Sequence, residues 1–164
     1  APASPGLPEA AARFAAGEAR RAGMKVVVDG GTLREGMLDL AGLSDCFIVS
    51  ESFGRALAGG DDPWRACRML SEMGPSLVGV TLGSAGYVAL AEGRRIERKA
   101  YPAAAVDTTG CGDVFHAGVA YGLLKGWPAE QCLDLGAWAA AQVSLHPGGR
   151  TGIPTLGALR ERYG

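Results

Sequence analysis

The sequence predicts an α/β fold, a three-layer α/β/α arrangement around a mostly parallel sheet, with a β-hairpin near residues 87–99. Three short apolar runs carry that expectation, at 25–29, 46–50 and 77–82, with helical stretches between them. Alternation of this kind gives parallel strands, right-handed crossovers and helices on both faces. At 164 residues the chain suits one domain, 1–164, long enough to bury a real core.

Pro8 and Glu9 open an Ala-rich helix that runs to Arg21, with Gly23 as its stop. Lys25-Val-Val-Val-Asp29 has the uninterrupted apolar character of a buried parallel strand. A loop and a short helical piece lead to a second such strand, Cys46-Phe-Ile-Val-Ser50. Residues 51–58 read as a helix closed by Gly59-Gly60. Asp62-Pro63 is an N-cap followed by Pro at the first helical position, and that helix runs to Met73. The third strand is 77–82. Tyr87–Ala91, a Glu92-Gly93 turn and Arg94–Lys99 then predict a hairpin with alternating faces. Helices at about 112–125 and 128–145 follow, then a Gly-rich loop at 146–152 and a last helix near 155–163.

Sixteen basic residues against seventeen acidic ones leave a net charge of -1. A nucleic-acid binder would need a basic face, so none is expected as a partner. No apolar run reaches the length of a membrane span, and no membrane partner is expected. The first residues have neither the basic nor the apolar region of a signal peptide. They also lack an initiating Met, as expected of a piece of a longer chain. Cys46, Cys67, Cys111 and Cys132 form no C-x-x-C pair, which suits reduced thiols in the cytoplasm.

In an open parallel sheet, ligands bind beyond the carboxyl ends of the strands. Here those ends are Asp29, Ser50-Glu51 and Thr81-Leu82-Gly83. The densest chemistry lies in Val106-Asp-Thr-Thr-Gly-Cys-Gly-Asp-Val-Phe-His-Ala-Gly118, a loop running into a helix. Gly110, Cys111 and Gly112 are small residues at a helix start, where backbone N–H groups lack intrahelical partners and can face an anion. Asp113 follows in the first turn. A carboxylate beside an anion hole suits deprotonation of an alcohol attacking a phosphoryl group. By itself, Gly-x-Gly-Asp serves equally as a turn followed by an Asp that stabilises its own helix.

The longer string decides between these readings. Asp107-Thr-Thr-Gly-Cys-Gly-Asp113 resembles the Asp-Thr-x-Gly-Ala-Gly-Asp signature of the ribokinase-like (PfkB) carbohydrate kinases, continuing through Phe115, Gly118 and Tyr121-Gly-Leu-Leu124. Thr81-Leu-Gly-Ser-Ala-Gly86 resembles that family's nucleotide loop, and Gly148-Gly-Arg-Thr-Gly-Ile-Pro154 its C-terminal Gly-rich loop. The resemblance covers essentially the whole chain but the family's C-terminal half alone. It implies a nucleotide-binding and catalytic region of an ATP-dependent sugar kinase. Asp113 would be the base, and Gly110, Cys111 and Gly112 the anion hole. Thr81, Gly83, Gly86, Gly148 and Gly149 would lie near the nucleotide. Asp107 and Thr109 would help hold a monovalent cation such as K+, and Glu51 would serve magnesium. ATP, Mg2+ and a small-molecule sugar are the implied cofactors and partners, and a homodimer the implied state of the complete protein. A kinase of nucleosides or other small alcohols, or an idle nucleotide-binding module, would share these residues. Without the family's N-terminal half, the 164-residue chain is expected to be inactive alone.

Two positions depart from the family. Its Asn-x-x-Glu, which organises magnesium and phosphate, is replaced by Ser50 and Phe53. Cys111 stands where Ala is commoner. At a helix N-terminus its thiol is expected to have a lowered pKa and to react with thiol reagents. His116 reads as structural, His146 and Pro147 as loop-shaping, and Arg150 either as a phosphate contact or as a solvated side chain. Trp64, Trp127 and Trp138 read as packing residues.

Overall fold

The computed structural model describes residues 7–164, with side chains from residue 10. The signal-peptide reading of the first residues lies outside the described residues. The chain divides into two compact units, Ala1–Arg98 and Lys99–Gly164.

The first unit carries a five-stranded sheet of order β1-β2-β3-β4-β5. β1 (Val27–Gly30), β2 (Cys46–Ser50) and β3 (Leu77–Thr81) are parallel. β4 (Tyr87–Ala91) and β5 (Arg94–Arg98) form the antiparallel hairpin, which joins the sheet through β3. Residues 46–49 of β2 and 77–80 of β3 are buried on both faces, as their unbroken apolar runs require. α1 (Leu7–Arg21), α2 (Glu51–Ala58) and α3 (Pro63–Glu72) complete the unit, with a short 3-10 turn at Met37–Leu43. Phe47, Phe53, Leu70, Val78 and Val80 form the centre of the core, each at most 1% exposed.

Two details differ from the sequence reading. The first strand begins at Val27 because Asp45 captures the chain just before it. Val26 N–H donates to Asp45 Oδ2 at 2.8 Å, and Lys25 Nζ to Oδ1 at 3.0 Å. The hairpin also lacks alternating faces on β4. That strand lies between β3 and β5 and is buried throughout, while β5 is the solvent edge. Its Arg94, Arg95, Glu97 and Arg98 discourage further strand pairing, and Arg95 stacks 4.8 Å above Trp64.

The second unit is built on α4 (Cys111–Leu124) and α5 (Ala129–Ser144), with α6 (Leu156–Tyr163) at its end. α4 and α5 approach closely because glycines face each other. A Cβ on Gly118 would lie 2.8 Å from Gly136 Cα, and one on Gly136 would lie 2.6 Å from Phe115 O. Gly136→Val is therefore expected to cost about 3 kcal/mol, the upper end of ordinary overpacking, since helix backbones must move apart. Gly17→Ala in α1 meets open space and should gain about 1 kcal/mol from helix propensity. Urea denaturation of the two variants checks both signs. Among the described residues, no helix is long and apolar enough to cross a membrane.

Candidate active site

The loop before α4 is shaped by Gly110. It is the N-cap of that helix at φ 75° and ψ −2°, a left-handed conformation that glycine adopts without strain. Space makes the same demand, since a Cβ there would lie 2.8 Å from Gly149 Cα and 2.9 Å from Gly149 O. Among the described residues, no side chain caps the helix. Cys111 N–H donates to Thr108 O at 3.2 Å, and Val114 N–H to Gly110 O at 2.9 Å. Between them, the amides of Gly112 and Asp113 have no acceptor among the described residues. Both residues are exposed. Two open donors at the positive end of a 14-residue helix are able to face an anion, and the Asp113 carboxylate stands in the same turn.

Asp107 fastens this loop to the Gly-rich loop. Its Oδ1 accepts from Thr109 N–H at 2.9 Å and its Oδ2 from Gly148 N–H at 2.8 Å. The backbone beside it is held by α5, with Val106 N–H donating to Ser144 O at 2.8 Å. Asp107, Thr109, Gly110, Gly148 and Gly149 thus come together, across 41 residues of sequence.

The amides of Thr109 and Gly148 hold the Asp107 carboxyl below its ordinary value of 3.8. A depressed carboxylate stabilises the fold fully above its unfolded pKa and loses that contribution as pH falls through the folded one. The tether should therefore persist through neutral and mildly acid solution and open below pH 3.8. An acid titration followed by the Gly148 amide resonance tests this. Release above the ordinary value would contradict it.

Cys111 behaves unlike the sequence expectation. Its Sγ lies 3.5 Å from Ala140 O, half-buried against Val114, Ala139 and Val143. Burial pushes the thiol up, and the negative charge of Asp107 adds to the effect. The lowered pKa expected from the helix terminus is therefore not found. His116 is buried and donates from Nδ1 to Gly112 O at 2.8 Å, with its ring edge-on to Phe115. His146 meets Gly152, where a Cβ would lie 2.5 Å from its ring. Arg150 is exposed.

Thr81, Gly83, Gly86 and Glu51 belong to the first unit. Parallel pairing brings the carboxyl ends of β1, β2 and β3 to one edge, with Ser50 directly opposite Thr81. Thr81 Oγ1 donates to Val49 O at 3.3 Å. The following turn closes through Leu82 N–H to Gly86 O at 2.8 Å, with positive φ at Gly83 and Gly86. Ser50 donates to Gly31 O at 2.7 Å and caps α2 by accepting from Phe53 N–H at 3.1 Å. Phe53 itself is fully buried, edge-on to Phe47. Glu51 pairs with Arg55 at 2.9 Å, and Arg55 with Asp61 at 3.1 Å. These three border a cavity of about 200 Å³ floored by Val80 and Leu82. Among the described residues, no three His, Cys, Asp or Glu side chains cluster as metal ligands do.

Residues 3–156 match the pfkB family carbohydrate kinase profile. The chain belongs to that family. An uncharacterized sugar kinase of Archaeoglobus fulgidus is 40% identical over 94 residues, 57% of this chain and 38% of that protein. The 2-dehydro-3-deoxygluconokinase of Bacillus subtilis is 33% identical over 135 residues, 77% of this chain and 40% of that one. The ribokinase of Arabidopsis thaliana, solved with ribose and ATP, superposes with a TM-score of 0.83 at 27% identity, covering 94% of this chain and 52% of that one. Adenosine kinase from Sinorhizobium meliloti gives 0.79 at 29%, covering 93% and 49%. The fold is the three-layer α/β/α fold of the ribokinase-like kinases. The chain spans about half the length of these solved relatives and about 40% of the curated ones.

Sequence reading missed the contacts of Gly118 and Gly122 with α5 and a cluster around Asp134. The four-residue spacing of Gly118 and Gly122 was the available signal for the first, since it puts both on one helix face. The second carried no local signal, because its partners are 29 and 33 residues away from Asp134.

Proposed function

We propose that this chain is the nucleotide- and phosphoryl-handling part of an ATP-dependent kinase that phosphorylates a sugar hydroxyl. The observation that carries the reading is the exposed Asp113 carboxylate in the same helical turn as the open amides of Gly112 and Asp113. Asp113 would take the proton of the attacking hydroxyl. The backbone of 110–112, with the Asp113 amide, would receive the oxygens of the transferring phosphoryl group as charge shifts onto them. Donors already aimed at the developing charge need no reorganisation during the reaction, and phosphoryl transfer depends mainly on such positioning and electrostatics. Gly149, packed on Gly110, supports the loop from behind.

Thr81, Gly83 and Gly86 would follow the nucleotide, with Gly148 and Gly149 near its phosphates. Magnesium would arrive on ATP as part of the substrate. Glu51 is the candidate carboxylate for it, and its pairing with Arg55 leaves it solvated and able to exchange partners. Asp107 and Thr109 would hold a monovalent cation, which would supply positive charge beside the phosphoryl site. The half-buried Asp107 carboxylate keeps lone pairs beyond the two amides it accepts. Four free cysteines suit a reducing, cytoplasmic setting.

Phe53 favours a second reading. A buried aromatic cannot organise water around magnesium, so an idle nucleotide-binding module has a specific observation behind it. Thermal shift of the complete protein with Mg-ATP, followed by turnover on ketoses, aldoses and nucleosides, separates the two. Turnover on a sugar supports the kinase reading, and the nucleoside arm reports the alternative acceptor. Binding without turnover on any acceptor supports the idle module.

A further inference from the structure

We infer that the C-terminal helix α6 is a positioning element of the phosphoryl-binding loop, acting through a closed ring of hydrogen bonds on Asp134. The inference rests on the reading of the 107–113 loop proposed above. Arg162 Nη2 donates to Tyr101 OH at 2.7 Å, and Tyr101 OH donates to Asp134 Oδ1 at 2.5 Å. On the other side, Arg162 Nε donates to Tyr163 OH at 3.1 Å, and Tyr163 OH donates to Asp134 Oδ2 at 2.7 Å. Each phenol accepts from the guanidinium and donates to the carboxylate. Two phenols thus bridge one cation and one anion, which lie 3.9 Å apart at their nearest atoms. The guanidinium also lies over Trp138, 5.0 Å from its ring centre, and Tyr163 packs on Trp127 at 5.4 Å.

The ring and the stacking of Tyr163 on Trp127 and Trp138 attach α6 to the helix before it. None of its residues is buried, and Leu156 is 59% exposed. Burial and the bond to Asp134 raise the Tyr163 phenol, so it stays a donor across the physiological range.

The segment between α5 and α6 is the Gly-rich loop. It places Gly148 N–H on Asp107 and the Gly149 backbone against Gly110. One end continues from α5, and the other enters α6 through Thr155, whose hydroxyl accepts from Ala158 N–H at 3.2 Å. Asp134 also lies on α5. Docking α6 onto it therefore closes the loop at both ends. Releasing α6 would leave the loop one fixed end, restore chain freedom to residues 145–155 and loosen the support behind Gly110.

The test uses Tyr163→Phe and Asp134→Ala in the complete protein. Tyr163→Phe keeps the ring stacking and removes both the bond to the Asp134 carboxylate and the one accepted from Arg162. Losing these bonds should speed amide exchange in residues 146–152 about tenfold, with the amides of α4 and α5 unchanged. The KM for Mg-ATP should rise by a similar factor while kcat changes little. If the amides of α6 exchange faster but those of 146–152 do not, the helix does not position the loop. Unaltered exchange of α6 in both variants would mean that the ring does not hold it. If Asp134→Ala fails to fold, Tyr163→Phe decides alone. Should the unaltered protein turn over no acceptor, the kinase reading fails while the exchange measurements still decide the coupling.

Discussion

Asp113→Asn in the complete protein is expected to lower kcat about 10²–10⁴-fold, the usual contribution of a general base, while Mg-ATP still binds. Asparagine has nearly the shape of aspartate and retains its backbone amide, so both open donors at the start of α4 survive. It cannot accept the hydroxyl proton. The side chain is exposed and holds no partner among the described residues that would collapse on its loss. Stability should change little, and a thermal melt beside the kinetics separates misfolding from lost chemistry. A kcat fall with an unchanged KM for nucleotide is the pattern of an interaction made in the transition state alone. Unaltered kcat would remove Asp113 as the base.

The parts of the fold legible in the sequence are those in which one short segment holds the whole signal. β2 and α2 adjoin at Ser50, which ends an apolar run and caps the next helix with its own hydroxyl, and both elements lie at the expected residues. Asp62-Pro63 starts α3 in the same way. The loop from Asp107 to Asp113 was legible as a loop running into a helix because its glycines and the helix start are contiguous. What lay hidden depends on distant partners. The burial of β4 comes from its place between two strands, and the late start of β1 from the side chain of Asp45. The direction at Cys111 was misread because its environment is made by Ala139 and Val143, on a helix about 30 residues away. A helix N-terminus and a buried pocket pull a thiol in opposite directions, and sequence displays the first of these alone. The Asp134 ring has no local trace. It draws on Tyr101, Arg162 and Tyr163, each of which would pass for an ordinary surface residue.

The 164-residue chain on its own is expected to consume ATP far more slowly in the presence of a sugar than a family member of full length. The proposed base and phosphate cradle lie within seven consecutive residues, 107–113, and neither would hold an acceptor hydroxyl in line with the phosphorus. Productive orientation of two reactants is worth roughly 7–11 kcal/mol of barrier. A base contributes 10²–10⁴-fold, about 3–5 kcal/mol, so the missing orientation outweighs the chemistry retained. The relatives are about twice as long as this chain, which leaves room for an acceptor site outside these residues. Among the described residues, β1 is also an edge strand of the sheet. An edge without a covering strand invites pairing with a second copy, so sizing chromatography of the short chain should show self-association. ATP consumption is measured with ketoses, aldoses and nucleosides for the short chain and for the complete protein. Turnover by the short chain within tenfold of the complete one would place the acceptor site inside these residues and overturn the division of labour proposed for them.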